Sequence, residues 1–175
     1  MSTSPPPPWF ARLPVSRRTG RRTIALDNNA VSNYFFEVPA PEVRFVFEEP
    51  SIQIQIGRQV IDEALNHLGL AAARRPQIWT ALGDLQARGK LILSGVTQMT
   101  AHEQAAYQEL QRLLQANLSQ PDACVVADAI VKQVPLLTLE RRLRDGLGRA
   151  LRGPAVQAFL TGRGLPNTVA QILVG

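Results

Sequence analysis

Short apolar runs typical of β-strands alternate along this chain with longer segments typical of α-helices. Residues 23–26 (TIAL) form one such run, and residues 51–56 (SIQIQI) alternate isoleucine with glutamine, the period-two pattern of a strand with one buried face. Helical segments of about 10 to 15 residues separate most of the strands. We therefore expect an α/β fold, a three-layer α/β/α sandwich whose central sheet is mainly parallel.

Helical spacing of apolar residues, together with caps and breakers, predicts where the helices lie. The clearest helix begins at Thr100, which forms a capping box with Glu103. Residues 43–47 (VRFVF) favour extended structure, and the last ten residues give no firm assignment. Helices are predicted over residues 28–35, 58–68, 75–89, 100–117, 121–133, 140–153 and 153–162, and strands over residues 23–26, 43–47, 51–56, 90–95 and 135–139.

Composition predicts the domain organisation. The chain has 175 residues, 45% of them hydrophobic, which is enough for one domain with its own core. Residues 1–22 are rich in proline, serine and arginine, so we expect an arm or linker before a single domain over residues 23–175. No run approaches the roughly 18 apolar residues of a membrane span, and Cys124 has no second cysteine to pair with. These features predict a soluble protein that acts in the cytoplasm and not at a membrane.

Positive charge is concentrated in two groups of arginines. The formal net charge is +5, and the only lysines are Lys90 and Lys132. Because the guanidinium fork suits phosphate oxygens, the groups are either a footprint for nucleic acid or a solvated basic surface, and charge alone does not choose. The first group contains Arg12, Arg17, Arg18, Arg21 and Arg22, and the second contains Arg141, Arg142, Arg144, Arg149 and Arg152.

Two acidic residues follow predicted strands, where a structural role and a functional role are both open. Asp27 directly follows residues 23–26, so it can cap the next helix or hold something charged. Glu140 follows the strand at residues 135–139 and can pair with Arg144, four residues further on. The carboxyl ends of neighbouring parallel strands face one crevice, which makes both carboxylates candidates for a site there.

Two further acids lie on predicted helices. Glu63 and its neighbour Asp62 flank opposite sides of an apolar stripe, and spacing does not choose between them. Asp122 lies three residues after Ser119, which is the arrangement of a helix start. Asp128 is six residues beyond Asp122 and is rotated away from it, so we expect Asp128 to pair with an arginine outside the site.

Three stretches resemble motifs of the PIN-domain ribonucleases, in particular the VapC-like toxins. Residues 24–35 (IALDNNAVSNYF) are similar to the family's opening strand and aspartate, and residues 60–65 (VIDEAL) to its second acidic helix. Residues 121–140 (PDACVVADAIVKQVPLLTLE) combine an aspartate at a helix start with a strand and a later Thr-x-acid. The resemblance covers about residues 23–142, and Glu140 stands where aspartate is usual in the family.

The resemblance implies a metal-dependent endoribonuclease that hydrolyses RNA phosphodiester bonds, and a bacterial toxin. It implies Asp27 and Asp122 as direct ligands of Mg²⁺ or Mn²⁺, hard cations that prefer oxygen donors. Glu140 would help to hold the metal, and Glu63 would act as a ligand or as a base that orients water. Together Asp27, Glu63, Asp122 and Glu140 are the expected catalytic residues.

The expected contacts and partners follow from the same resemblance. Thr138 is expected either to bond a site carboxylate or simply to end its strand with a satisfied hydroxyl. The expected partners are an RNA substrate and an inhibitor protein (an antitoxin or immunity protein), and a homodimer is left open. The expected substrate-binding residues are Asn28, Asn29, Thr138, Arg141 and Arg142.

Two other functions are compatible with the same residues. The chain can be a nucleic-acid-binding or protein-interaction module that has the fold without catalysis, for which Glu140 is the warning in the sequence. It can also be a small α/β protein whose carboxylates are caps and surface groups and whose partner is another protein. Metal-dependent RNA cleavage that Asp27→Asn and Asp122→Asn both abolish distinguishes the nuclease from the other two.

Overall fold

Five parallel strands form one central sheet in the computed structural model, which describes residues 5–67, 74–94, 99–165 and 172–173. Neighbouring strands in the order β3-β2-β1-β4-β5 are hydrogen-bonded, and each pair is parallel. Helices flank this sheet, so the predicted α/β class with a parallel sheet is confirmed. The strands are β1 (Arg22–Leu26), β2 (Ile52–Gly57), β3 (Leu91–Ser94), β4 (Leu136–Leu137) and β5 (Ile172–Leu173).

The strand order determines where the helices pack. From β1 the chain adds β2 and β3 on one side of the sheet, and then returns to add β4 and β5 on the other. Right-handed crossovers therefore place the helices of the two halves on opposite faces, and α1 packs on α2 and α3 whereas α5 packs on α6 and α8. The helices are α1 (Asn28–Phe36), α2 (Pro41–Glu48), α3 (Arg58–His67), α4 (Arg74–Ala87), α5 (Ala101–Leu114), α6 (Gln120–Val131), α7 (Arg141–Arg152) and α8 (Pro154–Gly162).

Several helices begin and end where the sequence predicts. Thr100 caps α5, and the reciprocal capping box with Glu103 is present. Gly89 follows α4 with a φ of +69°, a backbone conformation that suits glycine. The stop that we expect at Gly69 lies outside the described residues. No helix among residues 5–67, 74–94 and 99–165 is long and apolar enough to cross a bilayer.

The second strand corrects the prediction of a single buried face. Ile52, Ile54 and Ile56 are almost fully buried, as expected, but Gln53 on the opposite face is only 5% exposed. Its side-chain amide donates a hydrogen bond to the carbonyl of Gly89 at 3.1 Å, which satisfies the buried donor. A strand between two neighbours in a parallel sheet is covered by helices on both faces, so alternation in the sequence did not indicate exposure.

The prediction of extended structure for residues 43–47 is wrong, because this segment lies in α2. Pro41 occupies the first turn, where its missing N–H costs nothing. Val43, Val46 and Phe47 are buried and follow the i, i+3, i+4 spacing of one helix face. Burial of that face against the domain overrides the strand preference of valine and phenylalanine.

Part of the expected N-terminal arm packs on the domain. Trp9 and Leu13 belong to the hydrophobic core, and the ring of Trp9 meets Phe45 edge-on with centroids 6.0 Å apart. The N–H of Thr23 donates to the carbonyl of Pro14 at 3.0 Å, so this segment is hydrogen-bonded to the start of β1. Residues 9–14 are therefore built into the fold, whereas residues 1–4 lie outside the described range.

Candidate active site

A cleft of about 940 Å³ opens at the carboxyl edge of the sheet, next to the point where β1 and β4 are adjacent. This is the position where the chain reverses its winding direction, and ligands of doubly wound α/β folds bind at such points. The residues that line the cleft come from the start of α1, from α3, from the segment before α6 and from α7. They include Asn28, Asn29, Ser32, Glu37, Glu63, Asn117, Ser119, Asp122, Leu139, Glu140, Arg142, Gly146 and Arg149.

Asp27 lies beneath this cleft and is only 2% exposed. As the N-cap of α1, its Oδ1 accepts a hydrogen bond from the N–H of Asn28 at 2.7 Å, and its Oδ2 accepts one from the hydroxyl of Thr138 at 2.9 Å. Burial raises the pKa of Asp27 to about 6 despite these two hydrogen bonds, and the charges of Asp122 and Glu140 raise it further. The carboxylate of Asp27 thus caps a helix, and its ionised form is disfavoured by burial.

A hydrogen-bond network ties the end of β4 to the start of α1. The side-chain carbonyl of Asn29 accepts from the N–H of Leu139 at 3.2 Å, and its amide donates to Glu140 Oε2 at 3.3 Å. The N–H of Glu140 donates to the hydroxyl of Thr138 at 3.1 Å. Glu140 is therefore held by Asn29, in place of the pairing with Arg144 that its spacing allowed.

The position of Thr138 distinguishes its two expected roles. Its side chain is fully buried, and its hydroxyl lies between the carboxylate of Asp27 and the N–H of Glu140. The hydroxyl therefore bonds a site carboxylate, the first of the two expected roles, and Thr138 does not line the cleft. Asn28, by contrast, lines the cleft itself.

Glu63 and Asp122 line the same cleft. Asp122 lies in the first turn of α6, where its N–H donates to the capping hydroxyl of Ser119 at 3.4 Å. Glu63 is half-buried on α3, whereas its neighbour Asp62 is exposed and is not part of the cleft. The tertiary structure thus makes the choice between Asp62 and Glu63 that spacing left open.

The side chains at the cleft have the donor type of a divalent-cation site, but the described residues do not bring three of them together. Oxygen ligands from carboxylates are those that Mg²⁺ and Mn²⁺ prefer, and the negative charges of Asp122 and Glu140 both act on the buried Asp27. A cation would offset this repulsion, and each carboxylate oxygen of Asp27 has a second lone pair besides the one that is used. Within the described residues, no three histidine, cysteine or acidic side chains lie close enough together to form a complete metal-binding group.

The second arginine group presents one helix face to the cleft. Arg142 and Arg149 line it, but Arg141 does not. Residues seven apart share a helix face, and Gly146 lies between these two arginines on α7. A Cβ at Gly146 would come within 2.8 Å of Leu118 Cδ2, so the absence of a side chain lets α7 approach the cleft closely.

Sequence reasoning missed some residues of the cleft and one ion pair. Glu37, just after α1, lines the cleft and accepts a hydrogen bond from Asn33 Nδ2 at 2.8 Å. Arg149 was recognised only as a member of its group, although its spacing from Arg142 could have indicated a shared face. The expectation that Asp128 meets an arginine is wrong: it pairs with Lys132 at 2.7 Å, four residues on, where helical spacing brings the two together.

The order of the parallel strands and the helices on both faces of the sheet are consistent with a PIN-like α/β fold. No protein-family model matches the sequence, and no curated protein matches it. Among solved structures, the crystal structure of VapBC2 from Rickettsia felis bound to a DNA fragment from its promoter is similar, with a TM-score of 0.50 and 15% sequence identity. The match covers 86% of this chain and 98% of the other. At this identity the likeness shows the fold alone, and that fold is VapC-like.

Proposed function

We propose that this chain is a divalent-metal-dependent endoribonuclease that hydrolyses RNA phosphodiester bonds in the cytoplasm, and a bacterial toxin. The observation that carries the proposal is the acidic cleft, which α3, α6 and the segment before α7 each line with a carboxylate. Glu63, Asp122 and Glu140 line it, and Asp27 lies directly beneath. The charges of Asp122 and Glu140 raise the pKa of Asp27, and a cation bound near the three acids would offset that repulsion.

The proposed roles follow from where each side chain lies. To hold Mg²⁺ or Mn²⁺, Asp27, Asp122 and Glu140 would have to move closer together than they lie here, and Glu63 would be a further ligand or a base that orients water. A bound divalent ion would lower the pKa of a coordinated water and stabilise negative charge on the phosphate. Thr138 and Asn29 would keep Asp27 and Glu140 in position through their hydrogen bonds.

Arg142 and Arg149 would bind the RNA backbone on the α7 side of the cleft. Along a helix, seven residues correspond to about 10 Å, so the two guanidinium groups can contact different phosphates of one strand. Such contacts give affinity without base recognition. Asn28 also faces the cleft and would contact substrate. Of the three other expected substrate contacts, Asn29 lines the cleft, whereas Arg141 and Thr138 do not.

The test is cleavage of mixed RNAs by purified protein in Mn²⁺ and in EDTA. Asp27→Asn, Asp122→Asn and Glu63→Gln should each abolish cleavage while circular dichroism shows the same fold. The matched control is Asp62→Asn, which removes an exposed carboxylate one residue from Glu63 and should leave cleavage within about twofold of wild type. Cleavage that persists in EDTA, or in all three site variants, would refute the proposal.

A second candidate is a non-catalytic nucleic-acid-binding or protein-interaction module on the same fold. The observation that favours this module is Glu140, which stands where aspartate is usual in similar nucleases. Its carboxylate accepts a hydrogen bond from Asn29. RNA binding without metal-dependent cleavage in the assay above would support this function. Restored cleavage in Glu140→Asp would indicate that the longer side chain had removed the activity.

An inhibitor protein is the proposed partner, since a toxic ribonuclease needs one in its own cell. The similar Rickettsia felis structure is of VapBC2, and an antitoxin or immunity protein would occupy the corresponding role here. Val38, which is 87% exposed and follows the cleft-lining Glu37, would offer the inhibitor an apolar contact. Light scattering after size-exclusion chromatography would give the mass of the monomer, homodimer or inhibitor complex.

A further inference from the structure

The two arginine groups lie at opposite edges of the sheet. Arg142 and Arg149 face the cleft at the carboxyl edge. Arg22 is the first residue of β1, and the turn over residues 16–21 that carries Arg17 and Arg18 precedes it, at the amino edge. At about 3.3 Å per residue, the five residues of β1 separate the two edges by about 16 Å. The fold therefore does not place the two arginine groups on one continuous basic surface around the cleft.

The turn over residues 16–21 is held in a defined conformation. Val15 and Arg22 form an antiparallel bridge, and the N–H of Ser16 donates to the carbonyl of Arg21 at 2.8 Å. Gly20 has a φ of +69°, which closes the turn, and its N–H donates to the carbonyl of Ser16 at 2.8 Å. Charged side chains on such a turn are displayed at fixed positions, which lowers the entropy lost when a ligand binds.

Arg21 joins this turn to the segment that precedes β3. Its guanidinium donates to the backbone carbonyls of Arg88 and Gly89. Gly89 leaves room for this contact, because a Cβ there would lie 3.2 Å from Arg21 Nη1. The side chain of Arg21 thus acts as a structural anchor that brings the exposed Arg17 and Arg18 to the same edge as the exposed Arg88. We call these three exposed arginines the amino-edge arginines.

The amino-edge arginines are not held by acidic side chains. Within the described part of the chain, none of the three amino-edge arginines has an ion pair within 4.0 Å. Lys90, behind them, is buried and donates to the carbonyls of Glu49 and Ile52. Burial lowers the pKa of Lys90 to about 8, Glu49 opposes the shift, and Arg21 and Arg88 add to it. Glu49 is the acidic side chain that acts on Lys90, and its carboxylate accepts hydrogen bonds from Ser51.

We propose that the amino-edge arginines, Arg17, Arg18 and Arg88, bind the phosphate backbone of RNA at a site separate from the cleft. Guanidinium groups without ion-pair partners on a fixed turn and on the segment anchored to it suit phosphates, and contacts to the backbone carry no sequence preference. RNA long enough to leave the cleft and pass the sheet would contact both edges. The proposal rests on RNA being the ligand of the proposed function, but it does not require that the RNA be cleaved.

The test compares binding of a short RNA, which only the cleft can hold, with binding of a longer RNA, both measured in EDTA by fluorescence anisotropy. The double variant Arg17→Gln/Arg18→Gln should bind the long RNA roughly tenfold more weakly and the short RNA as wild type does. The dependence of the long-RNA affinity on salt should decrease by about 1.4 in log–log slope, because two phosphate contacts to a single strand are lost.

The matched control is Arg144→Gln/Arg163→Gln, which removes the same charge from exposed positions elsewhere. The inference would be overturned if the control variant weakened binding of the long RNA equally, or if Arg17→Gln/Arg18→Gln did not weaken it. It would also be overturned if Arg17→Gln/Arg18→Gln weakened only the binding of DNA of the same length. Because binding is measured without metal, a protein that binds RNA here and never cleaves it refutes only the nuclease proposal. Intact cleavage with unchanged long-RNA binding in Arg17→Gln/Arg18→Gln refutes only this inference.

Discussion

Asp27→Asn should make the protein more stable at neutral pH while removing a proposed metal ligand. Burial raises the pKa of Asp27 from 3.8 to about 6, so the ionised carboxylate destabilises the fold. A shift of this size corresponds to about 3 kcal/mol at pH 7, since each pKa unit is about 1.4 kcal/mol. Asparagine caps helices as well as aspartate does, and the hydroxyl of Thr138 lies 3.2 Å from Asn29 Oδ1, an alternative acceptor.

The pH dependence gives the sign of the effect. Because the folded protein holds the Asp27 proton more tightly than the unfolded chain does, wild type gains stability below about pH 4 and loses it as the pH rises through about 6. Urea denaturation in EDTA, followed from pH 3.5 to pH 7.5 at intervals of about half a unit, measures the free energy of unfolding. The advantage of Asp27→Asn should be largest above about pH 6 and should shrink towards pH 4.

If the free energies of unfolding of wild type and Asp27→Asn differ by the same amount at every pH in this range, the reasoning is refuted, because a titrating carboxylate makes that difference depend on pH. A variant that is less stable than wild type at pH 7 would also refute it, since the hydrogen bonds of Asp27 would then outweigh its burial. Asp62→Asn is the control: it removes an exposed carboxylate from α3, and its stability should stay parallel to that of wild type at every pH.

Three further predictions follow from the same contacts. Thr138→Val should cost about 1–3 kcal/mol in denaturation experiments, because it leaves the N–H of Glu140 and one oxygen of Asp27 without a partner, whereas Thr138→Ser should cost less. Gly89→Ala should lower the free energy of unfolding by about 1 kcal/mol, because φ is +69° there. Gly83→Ala, at an exposed position of α4 where a Cβ meets nothing within 4 Å, should raise it by up to about 1 kcal/mol. Mg²⁺ or Mn²⁺ should raise the melting temperature of wild type and not that of Asp27→Asn, and an equal rise in both would contradict the proposed ligand.

Local signals predicted the elements that depend on neighbours in sequence. The capping box of Thr100 and Glu103 and the cap of Ser119 on α6 are both formed, because these bonds join residues three apart. The prediction for residues 43–47 was wrong for the complementary reason. Their side chains favour a strand, and only the surface against which α2 packs makes the helix the more stable state. The prediction that Gln53 lies on an exposed strand face was wrong for a similar reason, since its burial depends on a helix layer that is distant in sequence.

The site shows the same division between near and distant residues. Asp27 could be placed after its strand, and the Thr-x-acid spacing placed Thr138 and Glu140 at the end of β4. Their hydrogen bonds to α1 join residues about 110 positions apart, which no spacing rule reaches. The pairing of Asp128 with Lys132 is local and was predictable by helical spacing, but an arginine was expected instead.

The sequence by itself determined the class of fold, the approximate positions of most helices, the acids that follow the strands and the presence of two arginine groups. Each of these follows from periodicity, caps or composition, which act over a few residues. Only the tertiary structure decided that Glu63 and not Asp62 lines the cleft, that Arg142 and Arg149 share its α7 wall, and that the other arginine group lies at the far edge of the sheet. The reason is that strand order and crossover direction fix which distant residues meet, and these are properties of the whole packed chain.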